Sequence, residues 1–319
     1  RFMLVDDAAL KALEDRLDEP ESGRSDHWNQ NIRTFEIDSS GRFEGASSLG
    51  NLSRKTNLFF SLAHWILQWP YRHMGRRFSA FRECQRLGRL LARRQKRQFT
   101  HDILRQVLSL ALIREHVPLT KSDEVELVIG DGYGVMTSLL LLASPESRVV
   151  TINLTKPLLV DLVFCRMVIP DLKLALVSDG ASMNRALARP DIRLVAVQAD
   201  NVDALTEAPI RLAVNILSMQ EMDLPVIHRY FHVLNNNKVR KTVFYCCNQK
   251  GMNPLHVRDY PWSGKNKILV DEPCAWMLLQ YGRRPPFYSR KKKDMDRAVW
   301  HRMAQPFESL GETRPKSAD

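Results

Sequence analysis

Three glycines alternate at the end of "VELVIGDGYG" (125–134), directly after a run of apolar residues. A strand that stops at such a loop brings bare backbone up to whatever lies beyond it. Gly130 permits the sharp turn, Gly132 lets main chain approach a ligand, and Gly134 lets the following helix pack closely. The dinucleotide fingerprint has its third glycine three places after the second, where Val135 stands here. The loop therefore predicts a bound small molecule and weakens the NAD reading. Farther on, Gln220 and Glu221 follow the apolar run in "LAVNILSMQEM" (212–222). A carboxylate just past the ligand-facing end of a strand can take a proton from a hydroxyl, and the amide beside it can orient that hydroxyl. The same pair could instead cap a helix starting near Asp223.

His256 and Asp259, in "NPLHVRDYPW", form a second candidate base, because imidazole titrates near neutral pH. Asp271 and Glu272 could pair with sugar hydroxyls, while Trp262 and Trp276 offer flat apolar faces for a sugar ring. Adjacent carboxylates on an extended segment point to opposite sides, so no metal is expected. The tandem Cys246 and Cys247 end an apolar run and read as buried thiols without a catalytic part.

In order along the chain, "VIGDGYG", "LAVNILSMQEM", "DYPW" (259–262) and "DEPCAW" (271–276) resemble the sugar O-methyltransferases of bacterial polysaccharide gene clusters. That family lies within the class I S-adenosylmethionine-dependent methyltransferases, and the likeness covers roughly residues 120 to 290. The resemblance implies a Rossmann-like fold, S-adenosyl-L-methionine as cofactor, and methyl transfer to a sugar hydroxyl of a glycan or glycolipid precursor. Carried over residue by residue, it implies that Gly130, Asp131, Gly132, Tyr133 and Gly134 lie on the cofactor. Asn153 and Leu154 would face the ribose and adenine, Asp200 the adenine amine, and Asn215 to Ser218 the methionine end. Glu221 would be the base, with Gln220 beside it and His256 as the alternative. Asp259, Tyr260, Trp262, Asp271, Glu272 and Trp276 would meet the acceptor. Two positions depart from the class I pattern: Val128 stands where an acid usually precedes the first glycine, and Asn153 replaces the acid that grips the ribose. Asn153 keeps hydrogen-bonding capacity but not the charge-assisted strength of a carboxylate.

The elements that must hold these residues alternate between strand-like and helix-like runs. Strands are expected at 125–130, 148–154, 193–199, 210–217 and 241–248, with helices around 134–143, 157–168 and 223–234. Continuous apolar strands separated by helices predict an α/β, doubly wound, mostly parallel sheet in a domain spanning 119–319. Residues 1–118 read as a separate N-terminal region. Within it, 20–57 is loop-dominated, a short apolar helix from 58 ends at Pro70, and a helix over 100–117 starts at Thr100 as N-cap and stops at Pro118.

Ten Lys or Arg fall between Arg72 and Arg97, with Glu83 the only acid, and the chain of 319 residues carries a formal charge of +11. This basic helical arm favours an anionic partner. Four readings stay open: a solvated face, contact with an anionic membrane, a grip on substrate phosphates, and nucleic acid, for which no recognisable binding module is present. An RNA methyltransferase, or a methyltransferase-like protein without catalysis anchored through the basic arm, are accordingly the alternatives to the sugar enzyme. The five cysteines lack metal-ligand spacing and the density of a secreted disulfide scaffold, and the first ten residues lack the pattern of a signal peptide. A cytoplasmic protein, with peripheral contact at the inner membrane face, is expected.

Overall fold

The computed structural model describes residues 8–17, 19–21, 36–37, 43–44, 58–119, 123–239, 242–250, 254–264, 266–282, 287–290 and 298–305. Helices dominate the part before the sheet: α1 (Ala8–Glu14), α2 (Leu58–Leu67), α3 (Trp69–Gly75), α4 (Phe81–Arg94) and α5 (His101–His116). Two short strands, β1 (Glu36–Ile37) and β2 (Phe43–Glu44), pair antiparallel inside the stretch expected to be loop. Most of the remainder of 20–57 lies outside the described residues.

Pro70 opens α3 instead of closing α2, which already stops at Leu67. Proline suits a first helical turn, where its missing N–H has no intrahelical partner to lose. Thr100 takes the extended backbone of an N-cap, yet its hydroxyl makes no capping bond. The basic stretch is not a free arm. Phe81, Cys84, Leu91 and Ala92 are buried, so α4 sends an apolar face inward and turns its arginines out.

The second part alternates strands with helices, the expected ones joined by β5 and α8, which were not expected: β3 (Val125–Ile129), α6 (Val135–Ala143), β4 (Arg148–Asn153), α7 (Thr155–Val168), β5 (Leu174–Val177), α8 (Gly180–Leu187), β6 (Leu194–Gln198), β7 (Ile210–Ile216), α9 (Leu224–Asn235) and β8 (Val243–Asn248). Then follow β9 (Lys267–Pro273), the single turn α10 (Ala275–Leu278), the hairpin strands β10 (Leu279–Tyr281) and β11 (Tyr288–Arg290), and β12 (Trp300–Gln305). The main sheet runs β5-β6-β4-β3-β7-β8-β12-β9. Its first six strands are parallel, and β12 is antiparallel to both neighbours. This is a doubly wound, mostly parallel α/β sheet. The chain moves outward from β3 through β4, then crosses back to β7 on the other side of β3. Such a switch point leaves a crevice beyond the carboxyl ends of the strands.

Apolar side chains from the two sheet faces form two core clusters. Leu104 and Leu108 of α5 and Leu91 of α4 belong to the same cluster as Val128 and Leu212 of the sheet, so the N-terminal helices and the sheet share one core. Below the crevice, Glu126 of β3 is fully buried and accepts hydrogen bonds from Arg211 of β7 and, at 3.3 Å, from Ser147. Burial raises its carboxyl pKa. Glu126 thus clamps neighbouring strands and has no part in the ligand edge.

Candidate functional site

A cavity of about 280 Å³ lies at the crevice. Its floor is Gly130, Asp131 and Gly132, and Ile152, Asn153 and Leu154 come from the end of β4. The chain after β7 supplies Leu217, Ser218, Gln220, Glu221 and Met222. The opposite wall is Asp102, Arg105 and Gln106 of α5, and Val226, Tyr230 and Met277 close the rim.

Loop geometry explains the glycines. Gly130, Gly132 and Gly134 have φ of +66°, +69° and +56°, the left-handed region that side chains disfavour. A Cβ on Gly130 would collide with the Ser218 hydroxyl, which donates to the Ile129 carbonyl at 3.1 Å. A Cβ on Gly134 would lie 2.5 Å from the Asp161 carbonyl oxygen and 2.6 Å from Cys165 Sγ, so α7 rests directly on the loop. Gly134 is therefore a packing position outside the cavity wall.

The acids of the loop region turn toward backbone. Asp131 accepts from the N–H groups of Met136 at 2.8 Å and Thr137 at 2.7 Å, satisfying free donors in the first turn of α6. Asp161, fully buried on α7, accepts from Gly134 N–H at 3.0 Å and from Asn153 Nδ2 at 2.9 Å. Burial, reinforced by the nearby Asp131 charge, pushes the Asp161 carboxyl well above the usual range. Sequence reasoning missed Asp161. Its signal is a lone acid inside the apolar run "PLLVDLVFC" of α7, where only a satisfied partner makes burial affordable. Tyr133 points away from the cavity, packed on Phe164 at 5.1 Å between ring centroids and covered by the Arg97 guanidinium.

Asn153 borders the cavity, with its carboxamide also bonded to Asp161 and to the Leu154 N–H. Asn215 lies behind the cavity wall. It donates to the Ile129 carbonyl at 3.0 Å and to Ser218 Oγ, and accepts from Asn248 at 2.7 Å. This buried knot fixes the turn after β7, where Leu217 has φ +60°. Gln220 and Glu221 occupy a 3₁₀ turn (Met219–Glu221) and line the cavity, and the Gln220 side-chain oxygen Oε1 accepts from the Gln249 backbone N–H at 3.2 Å. Asp223 takes the N-cap position of α9 without a side-chain bond. Ala199 reaches the cavity, whereas Asp200 does not.

The C-terminal candidates gather elsewhere. β9 is the outer edge strand, with β8 and β12 between it and β7, so its residues stand apart from the crevice. His256 accepts from Arg258 N–H at 3.2 Å, packs its ring against Trp300, and has its pKa lowered by burial. Asp259 accepts from the His256 N–H. Asp271 is held by Arg258 at 3.1 Å and Trp300 Nε1 at 2.6 Å, while Glu272 faces Arg77 and His301. The two carboxylates do point to opposite sides. Tyr260 is buried, Trp262 donates to the Val257 carbonyl within a Phe231–Phe244 cluster, and Trp276 is fully buried with its N–H on Ser109. None of these seven lines the cavity; Met277, next to Trp276, does.

The α5 wall was not foreseen. Asp102, Arg105 and Gln106 recur at i, i+3 and i+4, one polar patch on a helix whose apolar spacing alone had been informative. Arg105 Nε donates to His101 Nε2 at 3.1 Å, and burial pushes the His101 pKa down to about 2, so the ring is neutral and accepts. Gln106 Oε1 is buried without a hydrogen-bond partner. Asp102 and Arg105 pair with each other at 3.7 Å, so this wall presents a carboxylate, a guanidinium and an orphaned carbonyl side by side. Across the floor, Glu221 can receive a proton from a hydroxyl brought to the rim.

No family model matches the chain, and no curated protein matches it. Among solved structures, the chain is similar to the pyocyanin biosynthetic protein PhzM, at 12% identity and a TM-score of 0.33, over 62% of this chain and 56% of that one. The match thus spans little more than half of that neighbour. Likeness at this level says nothing of chemistry, which has to be read from the cavity.

Proposed function

We propose that this chain is an S-adenosylmethionine-dependent O-methyltransferase whose acceptor is a sugar hydroxyl of a glycan or glycolipid precursor. One observation carries the reading: bare backbone at the tip of β3 floors a cavity that holds the charged wall of α5 and the Gln220–Glu221 turn together. When bound, the cofactor supplies a methyl group already activated by its sulfonium. Asp102 takes its ammonium, Arg105 its carboxylate, and Asn153 a ribose hydroxyl. Leu154, Ala199 and Val226 offer apolar contact to the base. Glu221 removes the acceptor's proton and Gln220 orients the hydroxyl, so the protein's contribution is position, exclusion of water and one base. The sugar rests on the motif resemblance of "SMQEM" and "DEPCAW".

Calorimetry of the full chain with S-adenosylmethionine tests the cofactor. Heat of binding is expected, and its loss in Gly132→Arg, which fills the floor at φ +69°. A silent wild type, or a variant that binds equally well, removes the reading. Mass spectrometry of glycans from cells with and without the protein tests the acceptor, with one methyl missing from one sugar as the expected result. A second reading, a methyltransferase-like protein without catalysis, is favoured by Asn153 standing in the ribose acid's place with its amide already engaged. Cofactor binding without any glycan difference would support it.

A further inference from the structure

A second cavity, of about 620 Å³, opens between α2 and α4. Arg82, Arg86, Arg89, Arg93 and Arg97 line it, and among the described residues no carboxylate does. The first four follow one another at helical spacing along the outer face of α4. Arg97 sits deeper, 4% exposed, and its Nε and Nη2 are buried without hydrogen-bond partners. Burial lowers its pKa to about 10, which leaves it charged at neutral pH. Gln85 Nε2, on the same wall, is likewise buried without a partner. Unsatisfied buried donors are costly, and a cleft whose orphaned groups are all donors beside like charges fits an anion with several oxygens.

The facing wall is α2, which contributes Ser61, Trp65 and Gln68 to the cleft. Its outward side is apolar and open to solvent: Leu62 is 54% exposed, Trp65 53% and Ile66 54%, with Trp69 at 59% just beyond. No residue of α2 is fully buried. Trp65 belongs to both surfaces, and the Arg72 guanidinium stacks on it at 4.8 Å.

We propose that the cleft and α2 together dock on an anionic phospholipid surface. The arginines take a headgroup phosphate, while the apolar side of α2 enters the boundary between headgroups and acyl chains. A soluble phosphate compound or a nucleic acid would satisfy the arginines and leave that side in water, whereas a lipid surface offers phosphate and hydrocarbon side by side. No described helix is long and apolar enough to cross a membrane, so α2 lies along the surface. The two cavities share no lining residue, and the inference stands apart from methyl transfer.

Flotation of the full chain with vesicles tests it. Phosphatidylcholine vesicles containing phosphatidylglycerol should carry the protein, and phosphatidylcholine alone should not. Arg86→Glu with Arg89→Glu, and separately Leu62→Ser with Trp65→Ser, should each weaken partition about tenfold or more, with S-adenosylmethionine binding and melting unchanged because all four residues are exposed. Equal flotation with phosphatidylcholine alone would overturn the proposal. So would full flotation of the Leu62→Ser/Trp65→Ser variant. Inorganic pyrophosphate or RNA binding that needs the arginines, without vesicle binding, would reassign the cleft to a soluble or nucleic-acid ligand.

Discussion

Glu221 bears most of the chemical demand in the proposed reaction, since it is the carboxylate of the post-β7 turn that reaches the cavity. Glu221→Gln keeps its size and loses the ability to take a proton. Transfer should slow by about 10²–10⁴-fold, the usual worth of a positioned base, while cofactor binding measured by calorimetry stays as in the wild type. Undiminished turnover would mean that another group removes the proton, and His256 lies away from the cavity, bonded to its own turn. At this scale the sequence disclosed residue type better than direction. The glycines were legible because a positive φ is a property of the backbone itself. Asp131 was placed in the correct loop, yet its bonds to the α6 N-terminus depend on where that helix starts. Tyr133 faces inward because α4 and α7 pack around it, information that no local pattern contains.

The joint between β3, its loop and α6 is the element on which the site depends. Gly134→Ala would put a methyl group 2.5 Å from a carbonyl oxygen of α7 at a φ that alanine disfavours. Left-handed backbone costs about 1–2 kcal/mol and overpacking about 1–3 kcal/mol, so a loss of about 2–5 kcal/mol is expected in urea unfolding. A loss below about 0.5 kcal/mol would show that α7 yields and that the loop is not pinned from behind. The inner parallel strands were readable because burial on both faces demands uninterrupted apolar residues, while β5, a four-residue edge strand with a half-buried middle, was not. β9 and β12 were not, since an edge strand and its neighbour carry mixed residues such as "KILVDEP" and "WHRMAQ". That gap also explains the displaced acceptor residues. Motif order along the chain fixes succession, but only the sheet order reveals that β8 and β12 stand between β9 and the crevice.

Across the whole molecule, folding gathers five of the ten cations of 72–97 around one cleft and places the His301 imidazole inside the core. His301 of β12 is fully buried, 3.2 Å from the Tyr245 hydroxyl through Nδ1 and 3.5 Å from a Glu272 carboxylate oxygen through Nε2. Burial, helped by the nearby Arg77 charge, prevails over the Asp271 carboxylate, which favours a charged ring: the pKa is pushed from 6.5 down to about 4. The folded value lies below the unfolded one, so the unfolded chain binds the proton first on acidification. Stability contributed by the neutral ring is complete above pH 6.5 and is lost progressively as pH falls toward about 4. Between pH 6.5 and about 5 the loss should be about 2 kcal/mol for this ring. Asp131, Asp161 and Glu126, whose pKa values are raised, respond in the opposite sense and would mask it in a single pH scan. A paired measurement cancels them, because they are common to wild type and His301→Gln. The stability difference between the two proteins should therefore change by about 2 kcal/mol over that interval in denaturant unfolding. An unchanged difference would mean that the native ring titrates as it does in the unfolded chain, and a change of the opposite sign that a neighbouring carboxylate keeps the imidazole protonated in the native state.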